Sequence, residues 1–371
     1  MSRAAALDVD VLVIGGGPAG SACAIRLAEA GSRVAIAEGS DYSRFRIGET
    51  LEPSLGPTLR ELGLEIGEQD WSMSCPGVAA TWGGPTAARR PALFNPHGSG
   101  WCIDRRKFDK ALFERARRAG AAAFLETRVE SAVRRAGSWT WRVRHDDRAT
   151  NGRAKWIVAA TGRAARLPFG PQGARTWIDR LVGIALVDDG REDGCDGIAT
   201  GATVEAARHG WWYSASLPHG ARIAVFFTDA DILPRGNADR VSFLLGELGH
   251  CPTTEAACRF ATAMIEQQRW TGFDARSSLH RVALSDGWVA VGDAMMAFDP
   301  LCGRGVSEAI AVGKEVADWL LCSPDPALDD CPAWAKAAAS RFNRYCDERC
   351  RTYSIETRWP TSPFWQRRRV L

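Results

Sequence analysis

The chain has 371 residues, 46% of them hydrophobic and 25% charged, enough apolar surface for a substantial core and a composition that excludes a disordered chain. Its 47 basic and 44 acidic residues leave a formal charge of +3, too small to point to nucleic acid or a membrane surface. The length predicts two domains sharing a site, and no apolar stretch approaches the ~20 residues of a spanning helix.

The first apolar run lies inside a strand pattern with no small-residue cleavage site after it, so no secretory signal is expected. The 11 cysteines are scattered without a Cys-x-x-Cys pair, which suits reduced thiols in a cytoplasm. Cys346 and Cys350 share a helical spacing but lack further ligands, so no metal site is predicted.

Asp10-Val11-Leu12-Val13-Ile14 is a short continuous apolar run, as expected of a parallel strand buried on both faces. Pro18 to Ala30 reads as a helix ended by Gly31, and Arg33 to Glu38 resumes as a strand, giving a βαβ unit. A helix is predicted from Asp109 to Ala119, then a strand at Ala123 to Glu126 and a strand pair near Val129 to Val133 and Trp139 to Val143. Lys155 to Ala160 reads as another buried strand, stopped by Thr161-Gly162.

From Leu167 to Arg276 the character changes to aromatic-rich strands, such as Trp211 to Leu217 and Ala221 to Thr228, with one helix at Ala238 to Gly249. Gly287 to Asp293 returns to the buried-strand pattern, followed by helices at Gly305 to Leu321 and Ala333 to Tyr353 and a Pro-, Trp- and Arg-rich tail. The predicted fold is α/β: a Rossmann-like three-layer nucleotide-binding domain with an inserted, mostly antiparallel β-sheet substrate domain and a C-terminal helical region. The expected boundaries are 1–166 with 277–330, 167–276, and 331–371, with 75–100 contributing to the substrate site.

Gly15-Gly16-Gly17-Pro18-Ala19-Gly20 sits where a phosphate loop belongs, between a buried strand and a helix. Gly15 permits the tight turn, Gly17 lets the backbone approach a pyrophosphate, and Gly20 allows close helix–strand packing. The helix N-terminus offers free N–H groups and its positive dipole end. Glu38 follows Gly20 by 18 residues, near the ~20 expected of a carboxylate that binds ribose hydroxyls. The loop alone leaves NAD and FAD both open.

Gly292-Asp293, then Asp299-Pro300-Leu301-Cys302-Gly303-Arg304-Gly305 opening a helix, resembles the second flavin fingerprint of the p-hydroxybenzoate hydroxylase-like superfamily. The resemblance implies FAD, with Asp293 on the ribityl chain and the backbone of Pro300, Gly303, Gly305 and Val306 facing the flavin ring. Arg46-Ile47-Gly48-Glu49-Thr50 and the Asp104-Arg105-x-x-Phe108-Asp109 helix start resemble segments of flavin-dependent halogenases and related monooxygenases. That likeness implies that Arg46 and Arg105 reach the FAD phosphates or ring edge, and that Thr161-Gly162 passes the adenosine side.

Halogenases of this kind carry a lysine that relays hypohalous acid, and many carry Trp-x-Trp-x-Ile-Pro. Here Cys75 to Gly83 has no lysine, and Tyr213-Ser214-Ala215-Ser216-Leu217-Pro218 keeps only an aromatic and the proline. The tail Glu356 to Arg369 resembles the end of flavoproteins that mature tryptophylquinone-containing amine and amino-acid oxidases by oxygenating a tryptophan in a partner protein.

The expected enzyme is thus an FAD-dependent monooxygenase that hydroxylates an electron-rich aromatic, the indole of a tryptophan in a precursor protein, with molecular oxygen through a flavin C4a-hydroperoxide. NAD(P)H or a separate flavin reductase would reduce the FAD. The alternatives are a halogenase, a geranylgeranyl-reductase-like flavin reductase, and a maturation chaperone holding FAD. Glu49, His97 and Asp299 are the candidates for proton transfer, and Trp211 and Trp212 are either core or one wall of an aromatic pocket.

Overall fold

The computed structural model describes residues 7–67, 69–91, 96–146, 148–164, 169, 175–190, 201–282, 284–285, 287–322 and 331–369. The expected junctions at 166–167 and at 330 lie outside the described residues.

The strand Leu7–Ile14 pairs in parallel with Arg148–Ala159 on one side and Val34–Ala37 on the other. Ala122–Phe124 extends the sheet beyond Val34–Ala37, and Trp288–Ala290 extends it beyond Arg148–Ala159, both in parallel. The apolar runs are continuous because helices cover both faces of such a sheet. The hairpin Arg128–Arg135 and Ser138–His145 leaves the same sheet along the long strand Arg148–Ala159. The helix Pro18–Glu29 packs against Arg105–Arg118 and Gly305–Cys322. At Gly313 a Cβ would lie 2.2 Å from the Ala19 carbonyl oxygen, so a glycine there lets two helices touch backbone to backbone.

A second, seven-stranded sheet runs in the order Thr271–Asp274, Leu181–Asp188, Arg222–Asp229, Gly210–Ser216, Ala202–Ala207, Gly77–Thr81 and Ala88–Pro91. Every described pairing in it is antiparallel except that of Ala202–Ala207 with Gly77–Thr81. Successive side chains point to opposite faces, which separates the two neighbouring tryptophans. Trp212 and Phe226 pack under the helices Asn237–Gly249, Pro252–Ala257 and Arg259–Glu266. Trp211 and Phe227 stack on each other, 4.2 Å between centroids, on the opposite face. Trp212 is therefore core, and Trp211 alone is available to a pocket.

The C-terminal segment covers part of that second face. The helix Cys331–Ser354 and the turn Pro363–Gln366 bring Tyr353, Phe364 and Trp365 into the same apolar cluster as Trp211 and Phe227. Arg368 is buried and donates to both Asp229 oxygens at 2.6 and 3.1 Å, with its guanidinium 3.7 Å over the Phe364 ring. The basic tail is thus a docked element. Among the described residues no helix is long and apolar enough to cross a membrane.

Candidate active site

One cavity of about 2140 Å³ opens between the carboxyl ends of the parallel strands and the second sheet. It exceeds the ~300–1,000 Å³ of a pocket for one small ligand, so it has room for a dinucleotide and a second molecule.

At Gly15, with φ +109°, a Cβ would sit 2.2 Å from the Ala160 carbonyl oxygen, and at Gly20 it would sit 2.0 Å from that of Gly15. These two glycines are demanded by the fold itself. Gly17 differs: no atom lies within 4 Å of where its Cβ would be, and it lines the cavity with Pro18 and Ala19. Gly17 is the N-cap of the Pro18–Glu29 helix and supplies no side-chain cap. The first-turn N–H groups are left to a ligand, which is what a phosphate site needs.

Glu38, at the end of the second parallel strand, accepts the Gly16 N–H at 2.7 Å through one oxygen and the Ser40 N–H at 2.9 Å through the other. Arg46 donates to Ser40 Oγ at 2.7 Å and to Asp109 Oδ2 at 2.9 Å. Arg105 grips the same fully buried Asp109 with two hydrogen bonds of 2.9 and 3.0 Å and donates to the Ile47 carbonyl at 2.8 Å. One buried carboxylate thus orients both predicted arginines, which line the cavity beside Glu38.

Thr161 also lines the cavity, and its buried Oγ1 has no partner among the described residues. Gly162 beside it has φ +65° and open space around its Cβ position. Gly292, with φ +57°, packs on Ala19, where a Cβ would meet the Ala19 Cβ at 2.9 Å. The two fingerprints therefore touch. Asp293, Pro300, Gly303, Gly305 and Val306 line the cavity opposite the first loop. The glycine edge at Gly17, the uncapped helix start and the orphaned Thr161 hydroxyl fit an FAD.

The three candidates for proton transfer part company. Glu49 lines the cavity and is fully buried; Oε2 accepts the Gly48 N–H at 3.1 Å, and Oε1 has no partner among the described residues. Burial pushes its carboxyl up to about 7, partly offset by local N–H donors and the Arg105 charge. Arg46 pairs with Asp109 and Glu38, not with Glu49.

Asp299 lines the cavity as well, but its oxygens are engaged. Oδ1 caps the Leu301 N–H at 3.0 Å, and Oδ2 accepts from Arg349 at 3.1 Å and from the Tyr353 hydroxyl at 2.9 Å. These contacts make it a cap and an ion-pair partner. His97 is exposed and is not among the described residues that line the cavity.

The match to known proteins decides the cofactor. Residues 8–175 match the family model of an FAD binding domain. Residues 8–175 of this chain are thus an FAD-binding domain. It is similar over 98% of its length, at 27% identity, to 97% of LodB, named as an FAD-dependent oxidoreductase of Marinomonas mediterranea. Two solved structures share the fold across 98% of the chain. The myxobacterial chondrochloren halogenase CndH matches over 86% of its own chain with a TM-score of 0.82 at 20% identity. The peptidyl tryptophan dihydroxylase QhpG matches over 79% of its chain with a TM-score of 0.74 at 24% identity.

In this flavoprotein several residues near the site escaped the sequence reading. Arg163, directly after Thr161-Gly162, approaches Asp293 within 3.3 Å and donates to the Phe298 and Arg276 carbonyls at 2.7 and 2.9 Å. Its position beside a recognised turn was the available signal. Thr50 and Tyr213 join hydroxyls at 2.6 Å, tying the Glu49 segment to the second sheet. Tyr353 accepts the Trp211 indole N–H at 3.0 Å while donating to Asp299. No local motif announces either contact.

Proposed function

We propose that this FAD oxidoreductase is a monooxygenase that places an oxygen atom of O2 on an electron-rich ring, the indole of a tryptophan in a peptide or partner protein. The observation that carries this is the makeup of the far half of the cavity. Trp211, Tyr213, Phe227 and Phe273 supply an aromatic lining, and none of the described residues lining the cavity is a lysine. The wall suits a flat aromatic guest, while the lysine that the halogenase resemblance calls for is not among those residues. QhpG, a peptidyl tryptophan dihydroxylase essential for tryptophylquinone cofactor biogenesis, shares the fold and supports the same substrate class here.

Bound FAD supplies the oxygen-activating chemistry, with electrons from NAD(P)H or a separate flavin reductase in a cytoplasmic setting. The chain's residues hold and enclose the reactants. The Gly17 edge and the N–H groups of Pro18–Glu29 receive the pyrophosphate, Glu38 the ribose, Asp293 the ribityl chain, and the backbone of Pro300 to Val306 the ring. Arg46 and Arg105, fixed by Asp109, set positive charge beside them. Phe45 and Ile47 pack with the substrate-side cluster and keep water from the space between ring and guest.

The test incubates the FAD-loaded chain with a flavin reductase, NADH, oxygen and a tryptophan peptide, and reads the peptide by mass spectrometry. Gain of one or more oxygen atoms on the tryptophan, unaffected by added chloride or bromide, is expected. A halogenated peptide would replace oxygenation with halogenation, and an unmodified peptide after NADH consumption would overturn the proposal.

A further inference from the structure

The substrate half of the cavity is apolar over most of its wall, with Val78, Ala80, Val204, Trp211 and Phe227 facing it. Glu49 lines the same cavity, and its Oε1, in a side chain with no solvent exposure, has no hydrogen-bond partner among the described residues. An acceptor left unpaired in such surroundings costs about 1–3 kcal/mol, and it persists most readily where a ligand completes it.

Two features set the direction from which that ligand comes. Along the segment before it, Phe45 and Ile47 pack with the substrate-side cluster, while Arg46 between them is held at Ser40, Glu38 and Asp109 on the nucleotide side. Glu49 follows a bend at Ile47 and Gly48, where φ is +105°, and leads directly into the short strand Thr50–Leu51. Its charge is also felt by Tyr213, from the second sheet, and by Cys102, in the same substrate-side cluster. The next residue, Thr50, is bound to Tyr213 itself. Arg105 faces the carboxyl from the nucleotide side but commits its guanidinium to Asp109 and the Ile47 carbonyl.

We infer that Glu49 Oε1 receives the ring N–H of the aromatic substrate, so that this chain selects rings bearing a hydrogen-bond donor, indole or pyrrole, over isosteres that lack one. The inference rests on the proposed function for the presence of an aromatic guest and adds which atom of that guest is read. A site built to bond a donor rejects the analogue without it far better than an apolar wall distinguishes two shapes.

The experiment measures binding rather than turnover. N-acetyltryptophanamide and its 1-methyl-indole derivative are titrated into the FAD-loaded chain, with perturbation of the flavin absorbance as the readout. The wild type is expected to bind the N–H form about tenfold tighter. Glu49→Gln, which keeps a carbonyl acceptor, retains most of that preference, and Glu49→Leu abolishes it while holding FAD. Equal binding of the two probes by the wild type, binding of neither, or an undiminished preference in Glu49→Leu overturns the assignment. Loss of FAD in Glu49→Gln with an unchanged probe ratio also overturns it, by giving Oε1 to the cofactor. Should Glu49→Leu not fold, the wild-type ratio and Glu49→Gln decide alone. The mass measurement on a tryptophan peptide fails or succeeds independently of these ratios.

Discussion

Gly17 caps the Pro18–Glu29 helix and Gly20 lies in its first turn, and the structure gives them separate reasons to be glycine. A Cβ at Gly20 would press into the Gly15 carbonyl, whereas one at Gly17 would project into open space. Gly20→Val is therefore expected to lose folded protein, seen as a collapse of the melting transition. Gly17 has an ordinary φ of −73°, so Gly17→Val should cost the apoprotein no more than about 1 kcal/mol of helix capping. It should instead lose bound FAD, read as flavin absorbance per chain after gel filtration.

Glu49 yields a pH signature. Its carboxyl keeps a proton up to about 7 in the folded chain, against an ordinary 4.5. The folded state thus binds more protons between those values, and stability falls as pH rises through that window. The contribution is present in full below pH 4.5, gone above about 7, and worth at most ~3 kcal/mol. Glu49→Gln removes this slope. The variant should melt above the wild type at pH 8, with the gap closing towards pH 5, as thermal denaturation followed by circular dichroism would report.

Among the elements, the helix of the first βαβ unit was legible from local pattern, because a strand buried on both faces and a glycine-started helix are each written in consecutive residues. That helix spans Pro18–Glu29, and the strand expected at Ala221 to Thr228 spans Arg222–Asp229. What sequence could not show was pairing between distant segments. Gly77–Thr81 and Ala88–Pro91 complete the second sheet although Val78 pairs with Ala202, 124 positions further along the chain. The same limit hid the site contacts: Glu49 was legible as a candidate from its motif, but its unpaired oxygen and the Thr50–Tyr213 bridge depend on burial by another sheet. Asp299 and His97 were chosen by residue type in flavin-facing segments, and type says nothing of an Arg349 on a later helix or of exposure.

The docked tail makes a further prediction. Arg368 is buried against Asp229, while Arg367 reaches the same carboxylate from a more exposed position. Replacing one partner of such a pair leaves buried charge behind, a loss of about 3–5 kcal/mol. Arg368→Met should show that loss in urea denaturation, softened by Arg367, and Arg367→Met should show much less.

At the scale of the whole molecule, the nucleotide site draws on both ends of the described chain and the sheets meet around one cavity. FAD binding to the folded state alone should stabilise it by ~2.7 kcal/mol at a free concentration one hundred times its dissociation constant. Removing FAD by acid precipitation and refolding, then comparing melting curves with and without added FAD, checks this; identical curves would argue against a cofactor held in this cavity.

The strand order has a consequence for how the molecule is made. Leu7–Ile14 must wait for Arg148–Ala159, and that strand must wait for Trp288–Ala290, with five of the seven strands of the second sheet synthesised between them. Long-range parallel pairings form slowly. The loop at Gly15 to Gly20 is synthesised well before the Gly305–Cys322 helix that packs on its helix. A nascent chain therefore exposes its dinucleotide loop long before it has a dinucleotide site, and FAD capture becomes one of the last events of folding.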